Sequence, residues 1–281
     1  MGRTLHGIKD AISCAGYGMV DSPFLANSVD NATKRFSSRV ERYAKYRPGY
    51  PHILIDFLKD ACNLEPDHVV ADVGSGTGLL AELFLKNGNP VYAIEPNPDM
   101  RAVAEQSLAG YRRFRSVEAT AERTTLPNRS VDLVAVGRTF HWLEADKALS
   151  EFERILKPEG WAVIAWFKRR SSSPFLAKYE DLLLSYGIDR REMCQRRLEM
   201  ESFLVAAAFK AAKLEENRLL SLDALKGLTL SCSTAPEPDD PNVVPMMHAI
   251  EALFRQYQHS DAVPLGHDVV IYYKQLRLHS G

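Results

Sequence analysis

The sequence predicts an α/β protein: a seven-stranded, mostly parallel sheet sandwiched by helices, with a helical insertion acting as a lid. Three observations carry this. Between residues 68 and 167, short apolar runs rich in Val, Ala and Ile alternate with segments of helical period, the pattern of a parallel sheet covered on both faces. The first run, VVADV, leads directly into GSGTG, a turn that keeps backbone bare where a strand meets a helix. From residue 168 strands stop, and helical stretches follow before a strand-like alternation returns near the end.

The elements can be justified in order. In residues 29–46, Phe36, Val40, Tyr43 and Tyr46 stand at helical spacing, and Arg47-Pro48-Gly49-Tyr50-Pro51 breaks the run. Pro51 then opens a second helix, PHILIDFLKDAC. Residues 68–73 read as a strand, GLLAELFLKN as a helix stopped by Gly88, and 90–95 as a second strand. Residues 97–109 read as a helix with Pro98 in its first turn, and 113–119 and 131–137 as the third and fourth strands. A helix from His141 to Leu156, a turn at Pro158-Glu159-Gly160 and a fifth strand over 161–167 complete the alternation. Residues 170–213 read as helical, ENRLLSLDALKGLTLS as a sixth strand and a short helix, 243–258 as a helix, and 267–276 as the last strand.

This divides the chain into an N-terminal extension (1–30), an α/β core with its N-terminal cover helices (31–168), a helical lid or substrate region (169–215) and C-terminal strands and helices completing the sheet (216–281). A length of 281 residues fits one large domain with an insertion. The formal net charge of −1 gives no whole-molecule field to attract nucleic acid or an anionic membrane. Cys14, Cys62, Cys194 and Cys232 are too scattered for a zinc ribbon or disulfide framework, which fits a reducing cytoplasm. The first 20 residues lack the basic and apolar regions of a secretion signal, and no apolar run has the length of a membrane span. No metal is expected, and the sequence leaves the oligomeric state open.

The glycines run G-x-G-x-G, at Gly74, Gly76 and Gly78, with Leu at 79. The dinucleotide fingerprint is G-x-G-x-x-G, so the spacing speaks against a nicotinamide oxidoreductase. Asp72 precedes the first glycine, and Glu95 ends the second strand where an acid can accept hydrogen bonds from two ribose hydroxyls. Together these describe a pocket for a nucleoside with a close-lying tail that is not a phosphate.

The segments YAKYRPGYP, VVADVGSGTG, VYAIEPNPDM, ATAERTTLPNRSVDLVAVGRTFHWL and LKPEGWAVIAW resemble the class I S-adenosylmethionine-dependent methyltransferases of the type 11 kind. The likeness covers roughly residues 33–168 well and the C-terminus weakly, and within the family is nearest the trans-aconitate methyltransferase-like subgroup. It implies a Rossmann-like fold, S-adenosyl-L-methionine as cofactor with S-adenosyl-L-homocysteine as product, and methyl transfer to a small molecule, with a carboxylate-bearing acceptor in view. A non-catalytic cofactor binder, or an enzyme consuming the cofactor by another reaction, would share the same motifs.

The resemblance also implies roles. Gly74, Ser75, Gly76 and Gly78 would pass beneath the methionine and ribose, with Asp72 anchoring the turn or the amino group. Glu95 would hold the ribose, Pro96 would pack on the adenine, and Ala121 and Glu122 would meet the adenine edge. Gly137 would lie near the methionine amine. Tyr43 and Arg47 would belong to an N-terminal cover, Arg47 either meeting the methionine carboxylate or pairing with a nearby acid. His141, at the pocket mouth, is either a base or a helix cap. Arg138 stands where relatives often carry an uncharged residue, and could bind an acidic acceptor, meet the cofactor carboxylate or face solvent. The basic clusters FKRRSSS and RREMCQRR read as solvated faces.

Overall fold

The structure, a computed structural model, describes residues 39–276; the expected extension and the first turns of the helix expected over 29–46 lie outside them. The sheet has seven strands: β1 (Val70–Val73), β2 (Val91–Ile94), β3 (Phe114–Val117), β4 (Val131–Gly137), β5 (Leu156–Arg169), β6 (Lys210–Leu220) and β7 (Val263–Gln275). They lie in the order β3-β2-β1-β4-β5-β7-β6. β1 to β5 are parallel, and β7 runs antiparallel to both β5 and β6. All four residues of β1 are buried, as a strand covered on both faces requires.

Helices α2 (Ile53–Cys62) and α3 (Leu79–Asn87) cover one face, bringing Leu54, Ile55, Leu58, Leu80 and Phe84 onto Val70, Val91 and Leu133. α5 (Ala145–Ile155) and α7 (Arg190–Ala206) cover the other, with Phe152, Ile155, Met200 and Leu204 against Val73, Val134 and Ile164. α4 (Pro98–Ser107) is started by Asn97, whose Oδ1 accepts from the amides of Asp99 and Met100 at 2.9 and 3.1 Å. A third, smaller core joins α6 (Pro174–Tyr186), α8 (Leu222–Leu230) and α9 (Val243–Tyr257) through Phe175, Tyr179, Leu225, Ile250 and Phe254.

Three segments differ from expectation. The Pro158–Gly160 turn is a bulge inside a longer β5: Leu156 pairs with Val131, Glu159 is left-handed at φ +69°, and pairing resumes at Leu133–Trp161. The helix expected from His141 is instead a 3₁₀ turn, Phe140–Trp142, followed by extended Leu143 before α5 starts. The helical reading of 170–213 fails after Ala206: Ala208 sits at φ +59°, and β6 begins at Lys210. β6 is an edge strand, and its Ala, Lys and Glu residues, good helix formers, guard an exposed edge. The expected division at 215/216 thus falls inside β6, and the helical layer over the sheet's carboxyl edge draws α6 from one side of it and α8 and α9 from the other.

Helix α1 (Val40–Tyr46) and the loop after it form a roof over that edge. Arg39, 1% exposed, donates to the Ala235 carbonyl and pairs with Glu237, both at 2.8 Å. The Tyr46 hydroxyl donates to Asp223, and its ring lies against Gly227, where a Cβ would collide. Arg47, Arg138 and Arg218 donate to the carbonyls of Ser231, Pro48 and Gly49 at 3.2, 2.8 and 3.0 Å.

Candidate active site

Strand order reverses beside β1, which has β2 on one side and β4 on the other. Ligands in open α/β sheets bind at the carboxyl ends of strands at such a point, and a cleft opens there, lined by residues from the ends of β1, β2 and β4 and by Tyr43 and Tyr50 of the roof. All three glycines of the turn have positive φ, between +56° and +83°. Only Gly76 faces open space, with nothing within 4 Å of where a Cβ would point. A Cβ on Gly74 would stand 2.5 Å from Thr139 Cγ2, and one on Gly78 2.6 Å from Leu108 Cδ1. Gly74 therefore lets β1 and β4 close up, and Gly78 seats α3 against α4. Gly78 does not line the cleft, contrary to its expected role beneath the ligand.

The two acids differ in their surroundings. Glu95, 9% exposed, accepts from the Gly76 amide at 2.8 Å and the Asn97 amide at 2.9 Å. Burial pushes its carboxyl up, and those two amides and Arg101 oppose the rise. Asp72 is fully buried, and neither carboxylate oxygen has a hydrogen-bond partner of ordinary geometry. Burial pushes it up to about 8; the nearby Ala81 amide opposes this, and Glu95 adds to it. Such a carboxyl is cheap to ionise only when a cation arrives beside it. The Ser75 hydroxyl is likewise buried without a partner. Pro96, Ala121 and Glu122 line the far side of the cleft, Glu122 Oε1 accepting from the Glu144 amide at 3.1 Å. At Gly137 a Cβ would collide with the Tyr50 hydroxyl, so glycine there lets the roof close on β4.

A second cavity adjoins the first, and Tyr43, Arg138 and Trp142 border both. Seven cationic side chains line it, Arg47, Arg138, Lys168, Arg169, Arg170, Arg190 and Arg197, against the carboxylates of Glu180 and Glu201. Arg138 stands at the junction in a left-handed conformation, φ +61°. Its guanidinium lies 3.8 Å from the Phe167 ring centroid and 4.9 Å from that of Tyr50. Nη2 donates to Pro48, while Nε and Nη1 are buried without partners. It does not face solvent.

Arg47, expected either to meet the methionine carboxylate or to pair with an acid, lines this second cavity and donates to the Ser231 carbonyl. His141 also lines the second cavity, edge-on to Trp166 with ring centroids 4.7 Å apart. Burial, then Arg197 and Arg196, lower its pKa to about 3, so the imidazole is neutral at physiological pH. Tyr50, Thr139, Arg169, Glu180, Arg190, Cys232 and His267 were not singled out by sequence reasoning. One signal was available: Arg190, Cys194, Arg197 and Glu201 recur at helical spacing on one face of α7. Among the described residues no cluster of His, Cys, Asp and Glu could hold a metal ion, and no helix is long and apolar enough to cross a membrane.

Residues 71–164 match the methyltransferase domain family called Methyltransf_11. An uncharacterized methyltransferase of Mycobacterium tuberculosis is 35% identical over 138 residues, 48% of this chain and 52% of the relative. A malonyl-[acyl-carrier protein] O-methyltransferase of a Marinomonas species is 27% identical over 174 residues, 61% of this chain and 62% of the relative. The chain thus spans between about half and two thirds of the length of these curated relatives. In fold it is similar to a putative type II methyltransferase from Anaeromyxobacter dehalogenans, with a TM-score of 0.65 at 20% identity over 83% of this chain and all of that one. The fold is that of the class I S-adenosylmethionine-dependent methyltransferases, and residues 71–164 match a methyltransferase domain family. The cofactor of that domain is S-adenosylmethionine. The cleft fits it in kind: an unpartnered buried carboxyl at Asp72 for a cationic group, a bare backbone at Gly76, and an acid at the end of β2.

Proposed function

We propose that this chain transfers a methyl group from S-adenosylmethionine to a carboxylate of a small molecule, leaving S-adenosylhomocysteine. The observation that carries the acceptor is the cationic second cavity, which meets the cofactor cleft at Arg138. When bound, S-adenosylmethionine supplies an electrophilic methyl on a sulfonium. The chain's own residues then hold and orient. Glu95 would accept from the ribose hydroxyls, Asp72 would face the methionine ammonium, and Pro96, Ala121 and Glu122 would border the adenine.

Arg138 receives the acceptor. Its guanidinium lies over the Phe167 ring, and its Nε and Nη1 are buried without partners at the junction of the two cavities. Orientation of an already ionised nucleophile in a site closed by the roof can supply about 7–11 kcal/mol of the barrier. A carboxylate needs no proton removed at neutral pH. That suits a cavity whose two histidines, His141 and His267, are both held neutral with pKa values of about 3 and are weak bases. The O-methyltransferase among the relatives points the same way.

The test is S-adenosylhomocysteine formation, followed by mass spectrometry, across small carboxylic acids and their matched alcohols and amines. Turnover with the acids and not with their matched analogues is expected. Turnover confined to the amines or alcohols would refute the carboxylate reading.

A further inference from the structure

Two buried cysteines in this chain are pushed in opposite directions. Cys62, 3% exposed, ends α2 on its apolar core face, where burial pushes its thiol up to about 12. Cys232, 8% exposed, follows α8 and lines the second cavity. Burial pushes its thiol up too, but Arg47, Arg169 and Arg190 together outweigh that and hold it below the ordinary thiol range. Every element around it contributes a group. Arg47, at the end of α1, donates to the carbonyl of adjacent Ser231, and Arg190 of α7 donates to Thr234 Oγ1 at 3.3 Å. Arg169 of β5 and Arg190 share the single carboxylate of Glu180 on α6, at 2.9 and 2.6 Å. From α7 come also Cys194, Arg197 and Glu201, and from β7 comes His267.

The cluster is short of anions. Nε of Arg47 and Nε of Arg190 are buried without partners. His267, 5% exposed, lines the same cavity with Nδ1 unpartnered. Burial and the surrounding arginines keep it uncharged, so it can face an anion without repelling it. Cys232 Sγ donates to the Leu228 carbonyl at 3.5 Å as a thiol, and guanidinium groups beside a cysteine favour the thiolate, the form in which it reacts. Its first oxidation product can keep a negative charge and the same partners.

We propose that Cys232 is an oxidation-sensitive modification site, whose thiolate is converted by hydrogen peroxide to a sulfenate that the arginine cluster retains within the cavity. The sulfur attacks one peroxide oxygen, an S–O bond forms as the O–O bond breaks, and the departing hydroxide takes the proton of the new sulfenic acid, leaving sulfenate and water. Sulfur loses two electrons and the peroxide gains them. The site fills the end of the cavity assigned above to the acceptor, so its effect on turnover rests on that reading; the oxidation itself does not.

The test treats the full chain with limiting hydrogen peroxide in the presence of dimedone and reads the label on each cysteine by mass spectrometry. Cys232 is expected to label about tenfold or more faster than Cys62, in line with its thiolate character. The label should vanish in Cys232→Ser and slow several-fold in Arg190→Gln. Arg47→Gln serves as the second probe if Arg190→Gln does not fold. Labelling of Cys232 at the Cys62 rate, labelling of Cys194 in its place, or an unchanged rate in a folded arginine variant would overturn the proposal. S-adenosylhomocysteine affinity, measured by calorimetry before and after oxidation, is expected to stay constant, because Cys232 does not line the cofactor cleft. Failure of the untreated protein to bind S-adenosylhomocysteine would sink the functional reading and leave the cysteine chemistry standing.

Discussion

Asp72→Asn should stabilise the ligand-free protein and weaken its grip on the cofactor, and both effects follow from one buried carboxyl. In the folded chain the group is fully enclosed, has only the Ala81 amide nearby to oppose its burial, and is held up to about 8, against 3.8 as the ordinary value. The folded state therefore keeps a proton that the unfolded state gives up across that interval. The contribution of this one group to stability falls as pH rises from about 4 towards 8, since the unfolded chain binds fewer protons there. At pH 7 the accumulated cost has a ceiling of about 4 kcal/mol, at about 1.4 kcal/mol per pH unit. Asparagine has the same shape and no charge to lose. Urea denaturation at pH 5 and pH 7 should show wild type losing about 2–3 kcal/mol relative to the variant between the two. Calorimetry with S-adenosylhomocysteine should show the variant binding about tenfold to a hundredfold more weakly, the range for a lost bond to a charged group. Wild-type binding at pH 7 should also release a proton to the buffer as the carboxyl ionises against the ligand ammonium. Parallel pH profiles for the two proteins would refute the reasoning, because they would mean that Asp72 is already ionised in the empty fold.

Glu95→Ala should weaken S-adenosylhomocysteine binding by about tenfold to a hundredfold, and should also lower the melting temperature, because the Gly76 and Asn97 amides lose their acceptor. Gly76→Val should abolish binding, its side chain entering the cleft from a backbone at φ +56°, as calorimetry would show. Arg138→Gln should raise the acceptor KM about tenfold or more while S-adenosylhomocysteine affinity changes little, the pattern of lost uniform acceptor binding; the reverse pattern would assign Arg138 to the cofactor. Acidification should destabilise the fold: His141 and His267 stay neutral down to about 3 when folded and take a proton near 6.5 when unfolded, so stability present above 6.5 is lost as pH falls below it. His267→Gln should flatten that loss in a pH series of thermal melts.

The parallel half of the sheet was legible because its strands are short, apolar and separated by turns with glycine or proline, signals that local chemistry alone sets. Asp72, Gly76 and Glu95 were legible for the same reason, all lying within two consecutive strand ends. Which glycine faces a ligand was not, because a missing Cβ says nothing about what would have met it; Thr139 and Leu108 are distant in sequence from Gly74 and Gly78. The second cavity was hidden more thoroughly. Its arginines come from separate elements, and a net charge of −1 conceals a local surplus of cations. RREMCQRR read as a solvated face, yet Arg196, which pairs with exposed Glu192, is only 14% exposed and lies over the Trp142 ring. Arg190, on the same helix, turns inward because Glu180 waits there. β6 was misjudged from its edge position, since a strand that must repel other strands is built from residues that also favour helices.

The roof has a kinetic meaning. Tyr43 borders both cavities, and the segment that carries it is tied down from both sides: Arg39 and Arg47 donate to the carbonyls of Ala235 and Ser231, Tyr46 donates to Asp223, and Arg138 and Arg218 donate to the segment's own carbonyls at Pro48 and Gly49. On the proposed function, the segment that borders the cofactor cleft also borders the acceptor cavity, so its ties would hold both ligands at once. Loosening those ties is expected to speed release of the spent nucleoside and the methylated product together, at the expense of retention.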